Sequence, residues 1–273
     1  MNGHVLRILR AEALKQHRRM SGSKLVFFSM LLWPLLQLST TYYTVLPVAF
    51  AGTGSGWRGV ADPAELLAFL ATGALAFSCF YALVQSAWHF SFERQTGTLE
   101  LLFLTPANRL ALVVANGIGA LLQNAWLFVC FAVAMLGATD AVHLAHPAML
   151  AVVFLALMLP AIAWGAFLNS LLIFSRDSAF LHTLFDEPMR FLSGAQVPTF
   201  ALPVGAAAIG GLFPLTISLD LVRAALIEGA ELTALLPRLG RLLAMTAALV
   251  ALAAVLLKAG ERRAMRTGQL RLF

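Results

Sequence analysis

The sequence predicts an all-α integral membrane protein with six transmembrane helices, and three observations carry this prediction. Of the 273 residues, 60% are apolar and only 12% are charged, whereas soluble domains average about 25% charged residues. Long apolar runs recur along the chain, with short polar stretches between them. Basic residues concentrate at both ends, and an even number of spans places both ends on one side, which the positive-inside rule makes the cytoplasm.

The first 24 residues predict an amphipathic helix that lies on the inner leaflet of the membrane. Apolar side chains such as Leu6, Leu9 and Ala13 recur at helical spacing among basic ones. The basic side chains of this stretch are Arg7, Arg10, Lys15, Arg18, Arg19 and Lys24. They suit the charged surface of the inner leaflet.

Five spans follow within residues 25–195. They cover residues 25–50, 66–90, 110–138, 148–174 and 178–195. We expect Pro34 and Pro47 to bend the first. The fifth is the least regular, because Asp186, Glu187 and Arg190 interrupt its apolar run. A charge in a span costs about 2.5–3.5 kcal/mol at the helix centre, so we expect these side chains to face protein or water.

A polar stretch, residues 93–100, separates the second and third apolar runs. It reads Glu-Arg-Gln-Thr-Gly-Thr-Leu-Glu and continues into an apolar Leu-Leu-Phe-Leu. This composition predicts a short amphipathic helix at the membrane surface, with a polar face for a soluble partner.

Residues 196–240 are partly apolar and rich in glycine and proline. They are too broken for one simple span, so we expect a re-entrant segment on the outer side. Residues 241–273 hold the last span, 242–257, and a tail with five basic side chains. No soluble domain is expected, so the whole chain, residues 1–273, is one transmembrane domain.

Several kinds of active site are not expected in this chain. It has no phosphate-binding G-x-x-x-x-G-K-[ST] loop, and no catalytic triad is evident, so ATP hydrolysis or other catalysis is not expected. Asp140, His143 and His146 have metal-ligating side chains, but a solvated loop is the favoured interpretation. We therefore expect no catalytic, cofactor or metal site here.

Two motifs give the chain a resemblance to a known family. The first is the Glu93 to Glu100 stretch followed by Thr105-Pro106, similar to E-x-x-x-G-T-L-E-x-L-x-x-x-P. The second begins at Leu192-Ser193-Gly194 and ends at Asp220-Leu221-Val222-Arg223, with prolines between. With these motifs the chain resembles the membrane permease subunit of type-2 ABC exporters, the class that includes daunorubicin-resistance-type permeases.

This resemblance implies a multi-pass protein of the cell membrane that exports an amphipathic, drug-like small molecule. ATP and magnesium would be held by two copies of a separate cytoplasmic ATP-binding subunit. The resemblance also implies a second permease subunit, most simply a second copy of this chain. It implies no nucleic-acid partner. The polar stretch would be a coupling helix that docks onto the ATP-binding subunit through Glu93, Arg94, Gly97, Thr98 and Glu100. The outer re-entrant motif would comprise Ser193, Gly194, Pro198, Pro203, Pro214 and Arg223.

The charged cluster of the fifth span departs from the family pattern, which has apolar residues there. Asp186 and Glu187 lie four and three residues before Arg190, so either could pair with it and one carboxylate would remain. The remaining carboxylate could line the substrate path and favour a cationic substrate. Alternatively, the cluster is a self-neutralising structural pair.

Two other functions stay open from the sequence. The same architecture could export a glycan or a lipid-linked polymer, which predicts a path lined by aromatic and hydroxyl side chains. A secondary transporter driven by an ion gradient predicts acidic residues near the membrane midplane. Only Asp186 and Glu187 favour the latter.

Overall fold

The computed structural model describes residues 24–50, 62–95, 121–138, 140–172 and 178–267, together with residues 10, 11, 14, 18 and 60. These residues form helices joined by turns, without a strand, so the all-α fold class is confirmed for this part of the chain. The α-helices described are α1 (Lys24–Ala49), α2 (Pro63–Gln95), α3 (Leu121–Ala138), α4 (Met149–Leu172), α5 (Ser178–Leu192), α6 (Val204–Gly210), α7 (Pro214–Leu226) and α8 (Leu232–Thr267). A short 3-10 helix, Thr199–Ala201, precedes α6.

Three helices are long and apolar enough to cross a membrane, which indicates a membrane protein. The crossing segments are Pro63–Ala82, Met149–Leu171 and Leu232–Gly260. A fourth crossing is present if the bent pair of α6 and α7 counts as one. The apolar part of α3, Asn124–Gly137, is shorter than these. Six spans therefore stay a prediction, because the described residues provide three or four.

The helix boundaries follow the predicted spans closely at α1 and α4, within two residues at each end. α2 is longer than predicted at both ends, and it begins after a capping residue. The side chain of Asp62 accepts a hydrogen bond from the backbone N–H of Glu65 at 2.8 Å, as an N-cap does. At the N-terminus, the described residues 10, 11, 14 and 18 are helical and exposed. The rest of the predicted surface helix lies outside the described residues, so this helix stays a prediction.

The last helix begins earlier than the sequence suggests. α8 starts at Leu232, so residues 232–240, which we expected in the outer segment, belong to this helix. Pro237 and Arg238 give this stretch its broken pattern. The helix nevertheless continues through both residues, with Leu235 buried and the guanidinium of Arg238 3.4 Å from the carboxylate of Asp220.

α4 lies at the centre of the described helices, with α2, α7 and α8 packed around it. Its small residues Ala156, Ala161 and Ala163 are buried and allow the neighbouring backbones to come close. The hydroxyl of Ser218 in α7 donates a hydrogen bond to the carbonyl of Ala156 at 2.8 Å. This bond satisfies a buried hydroxyl and fixes α7 on α4.

The bend between α6 and α7 has a local cause. The two helices meet at 90°, and Pro214 occupies the first position of α7, where its missing N–H costs nothing. A residue before proline is disfavoured in the helical region, and Phe213 is accordingly extended, at φ −82° and ψ 131°. α6 ends at Gly210, and the Phe213-Pro214 pair starts the next helix in a new direction.

α5 and α7 run in the same direction along the bundle. The ring of Trp164 in α4 contacts Phe185 in the middle of α5, with ring centroids 5.8 Å apart. It also contacts Phe213, just before α7, at 5.9 Å. Further along, Ala195 after α5 and Arg223 near the end of α7 both lie against one turn of α2. The chain between α5 and α7 therefore turns back before α7 begins.

Candidate functional site

Residues 193–213, named the returning segment here, leave α5 at Gly194, which other residues do not replace easily. Gly194 has φ +88°, in the left-handed region that glycine adopts without strain and that commonly ends a helix. A Cβ at this position would lie 2.9 Å from Cγ2 of Thr199 and 3.7 Å from Nη1 of Arg223. Gly194 thus turns the chain out of α5 and leaves room beside the arginine.

The returning segment approaches its neighbours at two further glycines. A Cβ at Gly73 of α2 would collide with the carbonyl oxygen of Ala195, and a Cβ at Gly210 would collide with the carbonyl oxygen of Leu192. Backbone therefore packs on backbone at both places. The hydroxyl of Thr216 adds a hydrogen bond to the carbonyl of Gly210. The segment is consequently fixed against α2 at its start and against the end of α5 near its own end.

Arg223 is the charged residue at the centre of this arrangement. Its Nη2 donates to the carbonyl of Phe69 at 3.1 Å, and its Nε donates to the hydroxyl of Thr72 at 3.4 Å. The guanidinium carbon lies 3.6 Å from the centroid of the Phe69 ring, a cation–π contact. Thr72 is fully buried, and its hydroxyl donates in turn to the carbonyls of Ala68 and Phe69. The arginine is therefore held by neutral groups on one turn of α2.

A second arginine at this end of the bundle is held by carboxylates. Arg238 of α8 pairs with Asp220 of α7 at 3.4 Å and with Glu228 in the turn after α7 at 3.7 Å. Both carboxylate side chains are more than half exposed, so these pairs contribute little to stability. They connect α8 to α7 at the surface.

The loop before α4 closes the same end. The backbone N–H of His143 donates to the carbonyl of Leu226 at 2.8 Å, and Gly229, at φ +62°, packs against His143. Among the described residues there is no group of three or more side chains able to hold a metal. Asp140, His143 and His146 are all exposed. In this structure the loop serves to cover the end of α7.

The charged cluster of α5 splits into a pair and a single carboxylate. Glu187 pairs with Arg190, with 3.0 Å between Oε2 and Nη2, and the Glu187 side chain is 65% exposed. Arg190 also approaches the ring of Phe77 in α2, 5.9 Å from its centroid. Asp186 is left over, and its Oδ1 is buried without a hydrogen-bond partner in the described part of the chain. The sequence left this choice open, and the structure assigns the pair to Glu187.

An aromatic cluster that was not predicted from the sequence lies beside α5. It consists of Trp164, Phe167, Phe185 and Phe213, with the Trp164 ring at the centre, 5.4–5.9 Å from the others. The indole N–H of Trp164 is buried and has no acceptor among the described residues. The three phenylalanines lie on different elements and carry no sequence signal that would group them. A buried donor without a partner is costly, which makes this cluster a candidate ligand contact.

Other buried polar atoms on α4 and the returning segment lack partners too. Oδ1 of Asn169 and Oγ of Ser193 make no hydrogen bond within the described residues. Ser193 belongs to the predicted outer motif, whereas Asn169 does not. Pro198 is buried, and Pro203 and Pro214 directly precede or begin helices. The outer motif thus supplies the turns and helix starts of the returning segment.

The predicted coupling residues are only partly described. Glu93 and Arg94 lie in the last turn of α2, which continues without a break through Gln95. Gly97, Thr98 and Glu100 lie outside the described residues. The expectation of a separate helix is therefore wrong for Glu93 and Arg94, which extend the helix of the second span, and it stays a prediction for the residues after Gln95.

Comparison with known proteins adds no family assignment. No protein-family model matches the sequence, and no curated protein matches it either. The resemblance to exporter permeases consequently rests on the two sequence motifs.

Proposed function

We propose that this chain is the membrane permease subunit of an ATP-driven exporter of the type-2 ABC class. One observation carries the proposal: residues of both motifs belong to α2 or contact it. Glu93 and Arg94 of the first motif lie at one end of this helix. Arg223 of the second motif is hydrogen-bonded to Phe69, near the other end. Such an arrangement suits a chain that transmits a movement from its cytoplasmic side to its outer side.

The proposed complex contains two permease subunits and two cytoplasmic ATP-binding subunits, which supply ATP and magnesium. This chain contributes six spans, with both termini in the cytoplasm and the returning segment as the outer re-entrant part. The ATP-binding subunit docks at Glu93, Arg94, Gly97, Thr98 and Glu100. When the ATP-binding subunits close, they push on the end of α2. This helix then acts as a lever about 50 Å long, since each of its 33 residues adds about 1.5 Å.

The substrate we propose is an amphipathic, cationic small molecule. Asp186 supports this choice, because its carboxylate is largely enclosed and Arg190 is already paired with Glu187. The aromatic cluster around Trp164, which includes Phe185 next to Asp186, adds apolar surface and ring faces that attract cations.

Charge removal at Asp186 tests the substrate class. We expect Asp186→Asn to lower transport of a cationic dye at least tenfold, whereas a neutral dye is transported as before. Glu187→Gln is the matched control, since its carboxylate is exposed and already paired, and we expect less than a twofold effect. Equal loss for both dyes, or none, would contradict a cation-recognising role.

Co-purification tests the proposed function itself. A tagged chain from gently solubilised membranes should recover a soluble subunit that contains a phosphate-binding loop and hydrolyses ATP. Reversing the charges of Glu93 and Glu100 to lysine should abolish this recovery. Glu231→Lys is the control, because it reverses the charge of a residue just before α8, at the other end of the bundle. It should leave recovery of the ATP-binding subunit intact. Recovery of the permease without an ATP-binding partner, in several mild detergents, would sink the proposal.

Export of a glycan or a lipid-linked polymer is the second candidate, and the aromatic cluster favours it. Sugar rings stack on aromatic faces, and Trp164 offers a free indole donor for a hydroxyl. This candidate predicts that Trp164→Phe, which keeps the ring and removes the donor, impairs export more than Asp186→Asn does. The cationic substrate predicts the opposite order.

A further inference from the structure

One turn of α2, Phe69–Gly73, holds two parts of the chain that are far apart in sequence. Arg223 of α7 is bonded to it, and Ala195 of the returning segment packs directly on it. We propose that Arg223 is a positioning residue that latches α7 and the returning segment to α2, so that a displacement of α2 moves them together. The role of this movement in export depends on the function proposed above. The attachment of α7 and the returning segment to α2 does not depend on that function.

The geometry of the guanidinium favours a single docked position. Its donors form a planar fork, and two of them reach acceptors 3.1 and 3.4 Å away while the plane lies over the Phe69 ring. The carbonyl, the hydroxyl and the ring all belong to Phe69 and Thr72, within one helical turn. A shift of α7 along α2 would break all of these contacts at once.

The charge of Arg223 makes detachment costly. Among the described residues, no carboxylate lies within ion-pair distance of its guanidinium, and the nearby Asp220 is paired with Arg238. A cation taken out of water needs hydrogen-bond acceptors or a counter-charge. If α7 left α2, this cation would lose its acceptors, and the carboxylate three residues earlier on α7, Asp220, is already paired with Arg238. α7 therefore follows α2.

The returning segment is held at the same point. Because Gly73 has no side chain, the carbonyl of Ala195 rests directly on the α2 backbone, and Gly194 lies beside Nη1 of Arg223. The chain leaves this point at Ala195 and comes back to it at Arg223. Residues 195–223 thus form a closed loop whose two ends are fixed on one turn of α2.

α2 itself can carry a displacement over its whole length. α1, α4, α5 and α8 each contain an internal proline, whereas α2 has none after Pro63. Proline removes a helical hydrogen bond and kinks the helix, so its absence favours a stiff rod. Gly73 lies about 30 Å from Glu93 along this rod.

Hydrogen exchange in the purified full chain, held in lipid nanodiscs, tests the latch without any partner. Arg223→Gln should raise the exchange rate of peptides within residues 193–226 at least about tenfold, because it removes a charge-assisted hydrogen bond and the cation–π contact. Arg238→Gln is the matched control, a partly exposed arginine of the same end whose carboxylate partners are exposed, and it should change these rates less than about twofold. Peptides of α8, residues 242–260, should be unchanged in both variants. Rates in Arg223→Gln that equal those of Arg238→Gln would overturn the proposal.

If the Arg223→Gln variant unfolds along its whole length, a second pair of variants tests the latch. Arg223→Lys keeps the charge but lacks the planar fork, and Gly73→Ala puts a methyl group where the Ala195 carbonyl lies. Faster exchange confined to residues 193–226 in either variant supports the latch. Unchanged exchange in both overturns it.

Transport measurements separate this inference from the proposed function. In the complex with the ATP-binding subunit, Arg223→Gln should lower transport at least tenfold more than it lowers ATP hydrolysis. An equal effect on both would refute transmission through the latch. Failure of the proposed function looks different, since the wild-type chain would then recover no ATP-binding subunit, and the exchange experiment would still decide the latch.

Discussion

Arg223 and Arg238 lie at the same end of the bundle, but they are held in opposite ways. Arg238 pairs with two carboxylates that are more than half exposed, so water competes for every partner it has. Arg223 has no carboxylate partner among the described residues and instead bonds to a carbonyl, a hydroxyl and an aromatic ring. We therefore expect the ion pairs of Arg238 to hold their helices less firmly than the contacts of Arg223 do. Neutral groups with fixed geometry position a helix better than exposed charges do.

The largest effect should come from crowding the surface on which the Arg223 latch is built. Gly73→Val places a branched side chain against the backbone carbonyl of Ala195, and neither backbone can yield easily. We expect the free energy of unfolding, measured in bicelles, to fall by about 3 kcal/mol.

Gly240→Ala provides the control for this substitution. A Cβ at Gly240 in α8 meets nothing within 4 Å, and alanine is a better helix former by up to about 1 kcal/mol. We therefore expect Gly240→Ala to be neutral or stabilising. Equal destabilisation by the two variants would mean that glycine in these helices is needed for a reason other than the Ala195 contact.

A smaller effect should follow from removing the hydroxyl that Arg223 bonds to. Thr72→Val keeps the shape of the side chain but leaves Nε of Arg223 without its acceptor, so we expect a loss of about 1–2 kcal/mol. Thr246→Val is the matched control, because the Thr246 hydroxyl only returns to the carbonyl of Leu242 in its own helix. If thermal unfolding of the two variants is indistinguishable, the Thr72 hydroxyl is not part of the attachment.

The smallest effect should come from Arg238→Gln. We expect less than about 1 kcal/mol, and we expect the difference from wild type to shrink further at 1 M salt, because exposed charges are screened. Unfolding measured at low and high salt checks both points. A loss above 2 kcal/mol that salt does not reduce would reverse the comparison between the two arginines.

The sequence predicts the parts of this fold that depend on local pattern. Composition and apolar runs identify a helical membrane protein, and α1 and α4 have nearly the predicted boundaries. Pro214 begins α7, a local effect of proline that our assignment of residues 196–240 to one broken segment overlooked. The start of α8 was missed because Pro237 and Arg238 resemble a break, whereas the burial of Leu235 and Leu242 against other helices depends on tertiary contacts.

The candidate site depends on contacts that local pattern cannot reveal. Arg223 stands in the outer motif, but Thr72, its partner, lies 151 positions earlier and carries no motif. The sequence could not decide whether Asp186 or Glu187 pairs with Arg190, since both spacings allow it. In the structure Glu187 forms the pair, whereas Oδ1 of Asp186 is buried without a described partner. The aromatic cluster likewise depends on how α4, α5 and the returning segment meet.

The unbroken course of α2 has a consequence for how the chain can vary in length. Glu93 follows Gly73 by twenty positions, about five and a half turns, so the angular phase between the two ends of the helix is fixed. One residue inserted between them would rotate one end by about 100° relative to the other, so that the Gly73 surface and position 93 would no longer keep their relative orientation. Seven inserted residues would restore the phase to within about 20° while lengthening the helix by about 10 Å. Both the number of residues in this helix and the glycine within it are thus under geometric constraint.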